Sequence, residues 1–207
     1  MLPLCFSRNV GFLNGSTSAI VRLYRISGGL RLSDRLLLGF SGWPLAWPDY
    51  FPEDLPEDWQ LAYYSNDADA LVLSADELHA IDTEDLEEWC DDLPEYFRFY
   101  LKVDAVDDVN AEYRDALGKH LGAFLLSESA AKSDNDRCWY AMSNGYWGPS
   151  EQPRLVFLEY EQTGLRSMRE HLQKLPKELD ALILNREISD PRSLAELKTL
   201  TQLLGVA

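Results

Sequence analysis

Five apolar runs recur along the chain, each followed by an amphipathic segment, and this alternation restricts the fold more than any other feature. The runs are LLLGF (36–40), ALVLSA (70–75), FRFYLKV (97–103), RLVFLEY (154–160) and DALILNREI (180–188). Uninterrupted runs of this kind suit strands buried on both faces. Helical spacing fills the intervals. A helix is expected at about 55–66, and another from Thr83 to Leu93, where Leu86, Trp89, Cys90 and Leu93 share a face. A third is expected at about 110–128, gathering Tyr113, Leu117, Leu121, Phe124 and Leu125. Thr163-Gly164 opens a fourth, with Leu165, Met168, Leu172 and Leu175 on its face. Asp190-Pro191 supplies an N-cap and a first-turn proline for the last, lined by Leu194, Leu197, Leu200 and Leu204. Strand and helix in alternation imply an α/β fold: a mainly parallel sheet with right-handed crossovers, whose working residues lie at the strands' carboxyl ends.

Two stretches break the rhythm. Residues 1–34 are basic and punctuated by GSTS and GG, and AIVRLYRI (19–26) alternates as a short strand would. They read as an N-terminal extension, a short strand or hairpin, ahead of a main domain at 35–207. SDNDRCWYAMSNGYWGPSEQP (133–153) is polar, turn-rich and aromatic, too long for an ordinary connection. It reads as an inserted aromatic loop.

The formal charge is −16, unevenly spread. Residues 1–35 carry five arginines and one aspartate, which leaves −20 on the rest. An acidic body argues against binding a phosphate backbone, so no nucleic-acid partner is expected; an acidic inhibitor or nucleic-acid mimic is the exception such a charge allows. No apolar run reaches the roughly 18 residues that span a bilayer, and the N-terminus lacks the pattern of a secretory leader. Cys5, Cys90 and Cys138 are scattered, without CxxC spacing, and read as reduced thiols of a cytoplasmic protein. His79, His120 and His171 form no HxxxH or HxH pair, so neither a metal site nor a cofactor is expected. There is no GxGxxG, Walker loop, GxSxG elbow or CxxC.

The stretch GFSGWPLAWPDYFPEDLPEDWQLAYY, Gly39 to Tyr64, resembles the signature of the YecE-like TIM-barrel family, the domain of unknown function 72. The resemblance continues through Trp89, Phe97-Arg98-Phe99 and Lys102-Val103, and returns more weakly in LPKELDALILNREISDP. It implies a β/α barrel with its site at the mouth. Where the family carries a Glu and an Asn on its second strand, this chain has Val72 and Ser74; the aromatic pair beyond becomes Glu77 and Leu78. The Thr-His after the third strand is missing, and in the family's Glu-x-Arg-His pattern Leu184 and Glu187 replace the outer two residues around Arg186. With only five strands legible, the expectation is an incomplete TIM-barrel-like sheet of about five parallel βα units. Its open edges would invite a homo-oligomer or protein partner.

Candidate ligand-binding residues are those at the strand ends and the tryptophan-rich turn: Ser41, Trp43, Trp47, Ser74, Lys102, Glu159, Asn185, Arg186 and Glu187. No catalytic residue can be named. Lys102 and Arg186 suit an anion, or else pair with carboxylates at the rim. Trp43 and Trp47 suit stacking on a planar or sugar-like ligand, or else fill the barrel end. The expectation is a non-catalytic binding or assembly module with degenerate site residues. The alternative is a hydrolase or isomerase acting on a small anionic or sugar-like compound at the same rim.

Overall fold

A computed structural model describes residues 35–43, 47, 50–133, 135–159, 165–185 and 191–205. The extension expected over 1–34 lies outside them. Eight strands close into a barrel: β1 (Leu37–Ser41), β2 (Ala70–Ser74), β3 (Arg98–Lys102), β4 (Leu121–Leu126), β5 (Cys138–Ala141), β6 (Tyr146–Gly148), β7 (Leu155–Leu158) and β8 (Ala181–Asn185). Each pairs with its neighbours in chain order, and β8 returns to β1 through five aligned residue pairs. The helices are α1 (Gln60–Asp67), α2 (Ala75–His79), α3 (Thr83–Asp92), α4 (Ala111–Leu117), α5 (Leu165–Leu172) and α6 (Pro191–Leu204).

The expected incomplete, five-unit barrel is therefore corrected to a closed barrel of eight strands, and the open edges disappear with it. Two segments conceal the missing strands. The helix expected across 110–128 is half helix and half strand: α4 stops at Gly118, whose φ of +47° suits no side chain well, and the chain re-enters the barrel as β4. Leu117, Leu121, Phe124 and Leu125 happen to fit a helical period as well as a strand. The inserted loop 133–153 supplies β5 and β6. β5 runs parallel to β4, but β6 is antiparallel to both β5 and β7, so a three-strand meander completes a wall otherwise made of parallel neighbours.

Strand alternation sorts the core into two layers. One set of side chains fills the barrel: Leu37, Ala70, Val72, Tyr100, Ala123, Leu125, Trp139, Leu155, Ala181 and Ile183, with Trp147 and Phe157 packed against them. The other set, including Leu38, Phe40, Leu71, Leu73, Phe99 and Leu101, packs with Leu61, Tyr64, Leu86, Leu194 and Leu197 of the helices. Inside, bulk on one side meets small residues on the other. Tyr100 lies 5.5 Å from Trp139, while Gly39 approaches Ala70 so closely that a β-carbon on the glycine would lie within 2.0 Å of the Ala70 carbonyl oxygen. Gly122 sits where the β3–β4 register slips by a residue, and the Tyr100 ring occupies the space a side chain there would need.

Ion pairs hold the amino-terminal end. Arg35 donates to Asp69 at 2.7 Å and lies over the Tyr96 ring. The other oxygen of Asp69 accepts from the Leu38 amide. Arg154 makes a two-pronged contact with Asp180 at 2.7 and 2.6 Å.

Candidate functional site

Inward-facing positions at the carboxyl ends of the strands form the mouth. On β1, Gly39 precedes Ser41; on β2, Val72 precedes Ser74; on β3, Tyr100 precedes Lys102; on β8, Ile183 precedes Asn185. Alternation therefore aims Ser41, Ser74, Lys102 and Asn185 toward the barrel axis side of the rim. Register joins them in pairs: Ser41 is level with Asn185, and Ser74 with Lys102. Glu159 follows β7 directly and is exposed. Arg186 and Glu187 lie outside the described residues.

Ser74 is more than a rim hydroxyl. It caps α2: its Oγ accepts from the Glu77 amide at 3.2 Å, while Glu77 Oε2 accepts from both the Ser74 amide and the Ser74 hydroxyl at 2.9 Å. The second oxygen of Glu77 accepts from the Trp43 amide at 3.2 Å. One carboxylate thus clamps the turn after β1 to the end of β2. The S-x-x-E spacing of Ser74 and Glu77 was the sequence signal for this cap, and sequence reasoning treated Glu77 only as a departure from a family pattern.

The tryptophans of the opening turn lie beside the outer layer. Trp43 stacks on Trp89 of α3, with ring centres 5.6 Å apart and planes 18° from parallel. Trp47 meets Phe40, an outward-facing residue of β1, edge-on at 4.4 Å, and Tyr50 at 5.3 Å. Its indole nitrogen is buried without a hydrogen-bond partner among the described residues. The structure brings Ser41, Ser74, Lys102 and Asn185 to one rim and sets Trp43 and Trp47 among the helices beside it.

Aromatic residues of the barrel interior come from elsewhere. Trp147 of β6 and Phe157 of β7 lie 6.1 Å apart, half-buried against the interior cluster. Phe157 was not singled out from sequence, although the alternation of LVFL could have placed it inward. Trp147 belongs to the same aromatic stretch as Trp139, Tyr140 and Tyr146. Trp139 and Tyr140 are buried in this chain's own wall, and the Tyr140 hydroxyl bonds the Ser133 amide at 2.6 Å.

Lys102 is exposed, and among the described residues it makes no ion pair. Tyr100, the next inward residue below it, is fully buried, and burial pushes its hydroxyl well above the usual phenol range, so it stays protonated. No group of three His, Cys, Asp or Glu among the described residues is arranged to hold a metal ion. Among the described residues the mouth therefore joins the Lys102 cation to serine and asparagine hydroxyl or amide groups.

No family model matches this sequence, and no curated protein matches it. Two solved chains are similar to it, both of a DUF72 family protein (EF0366) from Enterococcus faecalis V583. The first is 11% identical, with a TM-score of 0.48, over 83% of this chain and 98% of that one. The second is 12% identical, with a TM-score of 0.49, over 81% and 96%. The family of those two chains is the one that the Gly39–Tyr64 stretch resembles.

Proposed function

We propose that this chain is a non-catalytic binding module whose barrel mouth takes a small anion bearing a planar or apolar part. The observation that carries the reading is Lys102: an inward-facing, exposed cation at a strand end with no ion-pair partner among the described residues, in a chain of net charge −16. Carboxylates are abundant here, so a cation left unpaired at the mouth suits an incoming negative charge. Ser41 and Asn185 supply short hydrogen-bonding groups at the same rim, and Trp147 and Phe157, packed against the interior cluster, supply an apolar wall. Glu77, whose carboxylate bonds Ser74, is held as an acceptor in a helix cap, an arrangement of a structural group rather than a base. An assembly role loses its original premise, because no strand edge needs covering.

Titration of the full chain with inorganic phosphate and with benzoate tests the reading, followed by backbone amide shifts and tryptophan fluorescence. Benzoate should bind more tightly than phosphate and shift residues at the ends of β1, β3 and β8. Lys102→Met should weaken it about ten- to a hundredfold, the range of a charge-assisted hydrogen bond. Equal affinity in the variant, or shifts confined to the far end of the barrel, would refute the assignment.

A further inference from the structure

The flank of the barrel formed by α1 and its approach carries an aromatic strip unrelated to the mouth. Trp59 ends a one-turn 3-10 segment (Glu57–Trp59) and is 61% exposed; Tyr63, four residues on, is 37% exposed. Positions four apart on a helical path face the same way. The Tyr63 ring meets Tyr50 and Phe51 edge-on, with centres at 5.7 and 5.9 Å, and those two rings lie 4.7 Å from each other. Tyr50 is fixed in turn by its hydroxyl, which donates to Asp67 at 3.1 Å. The rings of Tyr50, Phe51 and Tyr63 are therefore preformed, and little of their side-chain freedom remains to be lost when something covers them. A tryptophan this exposed beside further rings is the residue pattern of an interaction surface.

Charge identifies what would cover it. Between Leu36 and Phe97 the sequence holds seventeen aspartates and glutamates and neither lysine nor arginine. Of these carboxylates Asp69 pairs with Arg35. Glu57 and Asp58 directly precede Trp59 and are exposed. The same segment packs beside α3, whose Glu87 and Glu88 are exposed as well. The same face of a second copy would set carboxylate against carboxylate, and a nucleic acid or anionic lipid would be repelled. An arginine- or lysine-bearing polypeptide meets both demands: cationic heads reach the carboxylates and lie over the indole, and apolar side chains cover the rings.

We infer that the Trp59–Tyr63 face docks a basic polypeptide segment of a partner protein. The inference does not depend on the mouth or its ligand. A fluorescein-labelled decapeptide alternating arginine and leucine serves as the probe, with the full chain titrated against it by anisotropy. Binding is expected, weakening steeply as salt rises, and absent for the matching glutamate–leucine peptide. Trp59→Ser should weaken it at least tenfold with an unchanged melting temperature, because the side chain is mostly in solvent. Trp59→Phe should recover most of the loss. Amide shifts on the unmodified protein should centre on α1 and α3. Three results would overturn the proposal: equal binding by Trp59→Ser, which leaves charge alone as the cause; shifts centred elsewhere; or light scattering that shows a dimer of the free chain dissolved by Trp59→Ser, which would make the occupant a second copy.

Discussion

Replacing Gly39 by alanine probes barrel closure directly. The new β-carbon would lie 2.0 Å from the Ala70 carbonyl oxygen and 3.0 Å from the Ala70 β-carbon, against a practical limit of 3.0 Å for such contacts. Relief requires β1 and β2 to separate by about 1 Å, a fifth of the normal strand spacing of about 4.8 Å. The separation stretches the seam in which Gly39, Phe40 and Ser41 face Ala70, Leu71 and Val72, and the Gly42 amide bonds Val72 at 2.7 Å. Two weakened hydrogen bonds at about 1 kcal/mol each, with overpacking of about 1–3 kcal/mol, give a loss of about 3–5 kcal/mol. In an open sheet a strand could swing outward to relieve the clash. Here β1 is tied to β8 and β2 to β3 through five residue pairs each, so neither is free to yield. For a chain of this size the melting temperature should fall by about 6–20 °C. Urea and thermal melts followed by circular dichroism measure the loss, with Gly205→Ala as reference: its φ is +65° but its surroundings are open, so it should cost about 1–2 kcal/mol. A loss below about 1 kcal/mol for Gly39→Ala would show that the two strands are not held as described.

Other consequences can be checked on the same footing. Glu77→Ala removes the acceptor of three hydrogen bonds and should cost about 2–3 kcal/mol in denaturant melts, while Glu77→Gln, which can rebuild the cap, should cost about half as much or less. His120 is 1% exposed; its Nδ1 lies 3.0 Å from the Phe97 carbonyl oxygen and its Nε2 has no partner among the described residues. Burial, helped by the nearby Lys119 and Arg98 charges, lowers its pKa below the usual 6.5 despite the pull of that carbonyl. The unfolded chain therefore takes up this proton first, and the contribution of the neutral ring is complete above about pH 6.5 and is lost as pH falls below it, at no more than about 1.4 kcal/mol per pH unit. Urea midpoints across pH 5–8 should show this slope and His120→Gln should flatten it; an unchanged slope would place the proton uptake elsewhere. Burial pushes the Cys90 thiol up to about 12, so iodoacetamide followed by peptide mass analysis should label Cys90 only when urea opens the fold. Labelling at the native rate of a free thiol would contradict the packing around α3.

Much of the molecule could be read from the chain because local and global signals agree there. LLGFS, ALVLS, RFYLK, LVFL and ALILN are strands, and Thr83–Asp92 and Pro191–Leu204 are helices with the expected buried leucines. The signal fails where one apolar spacing serves two structures. Leu117, Leu121, Phe124 and Leu125 satisfy a helix, and the backbone turn at Gly118 is what divides α4 from β4. β6 is three residues long, too short to show a period. The mouth was legible by position but not by role. Parity and strand ends place Ser41, Ser74, Lys102 and Asn185, whereas the clamp by Glu77 and the ring pair Trp147–Phe157 depend on contacts between distant elements.

The reversed direction of β6 separates two properties that usually come together in barrels of this kind. A parallel strand needs a crossover, and the crossover brings its own covering helix. Between β5 and β7 the described residues carry no α-helix: the wall there turns back on itself through short loops. A ring of eight can thus be closed between Leu37 and Asn185, well within the roughly 250 residues that a fully jacketed version takes. The sector from β5 to β7 is consequently the thin side of the vessel, where amide protons should trade with solvent soonest and where chain length could change without disturbing the helical jacket opposite.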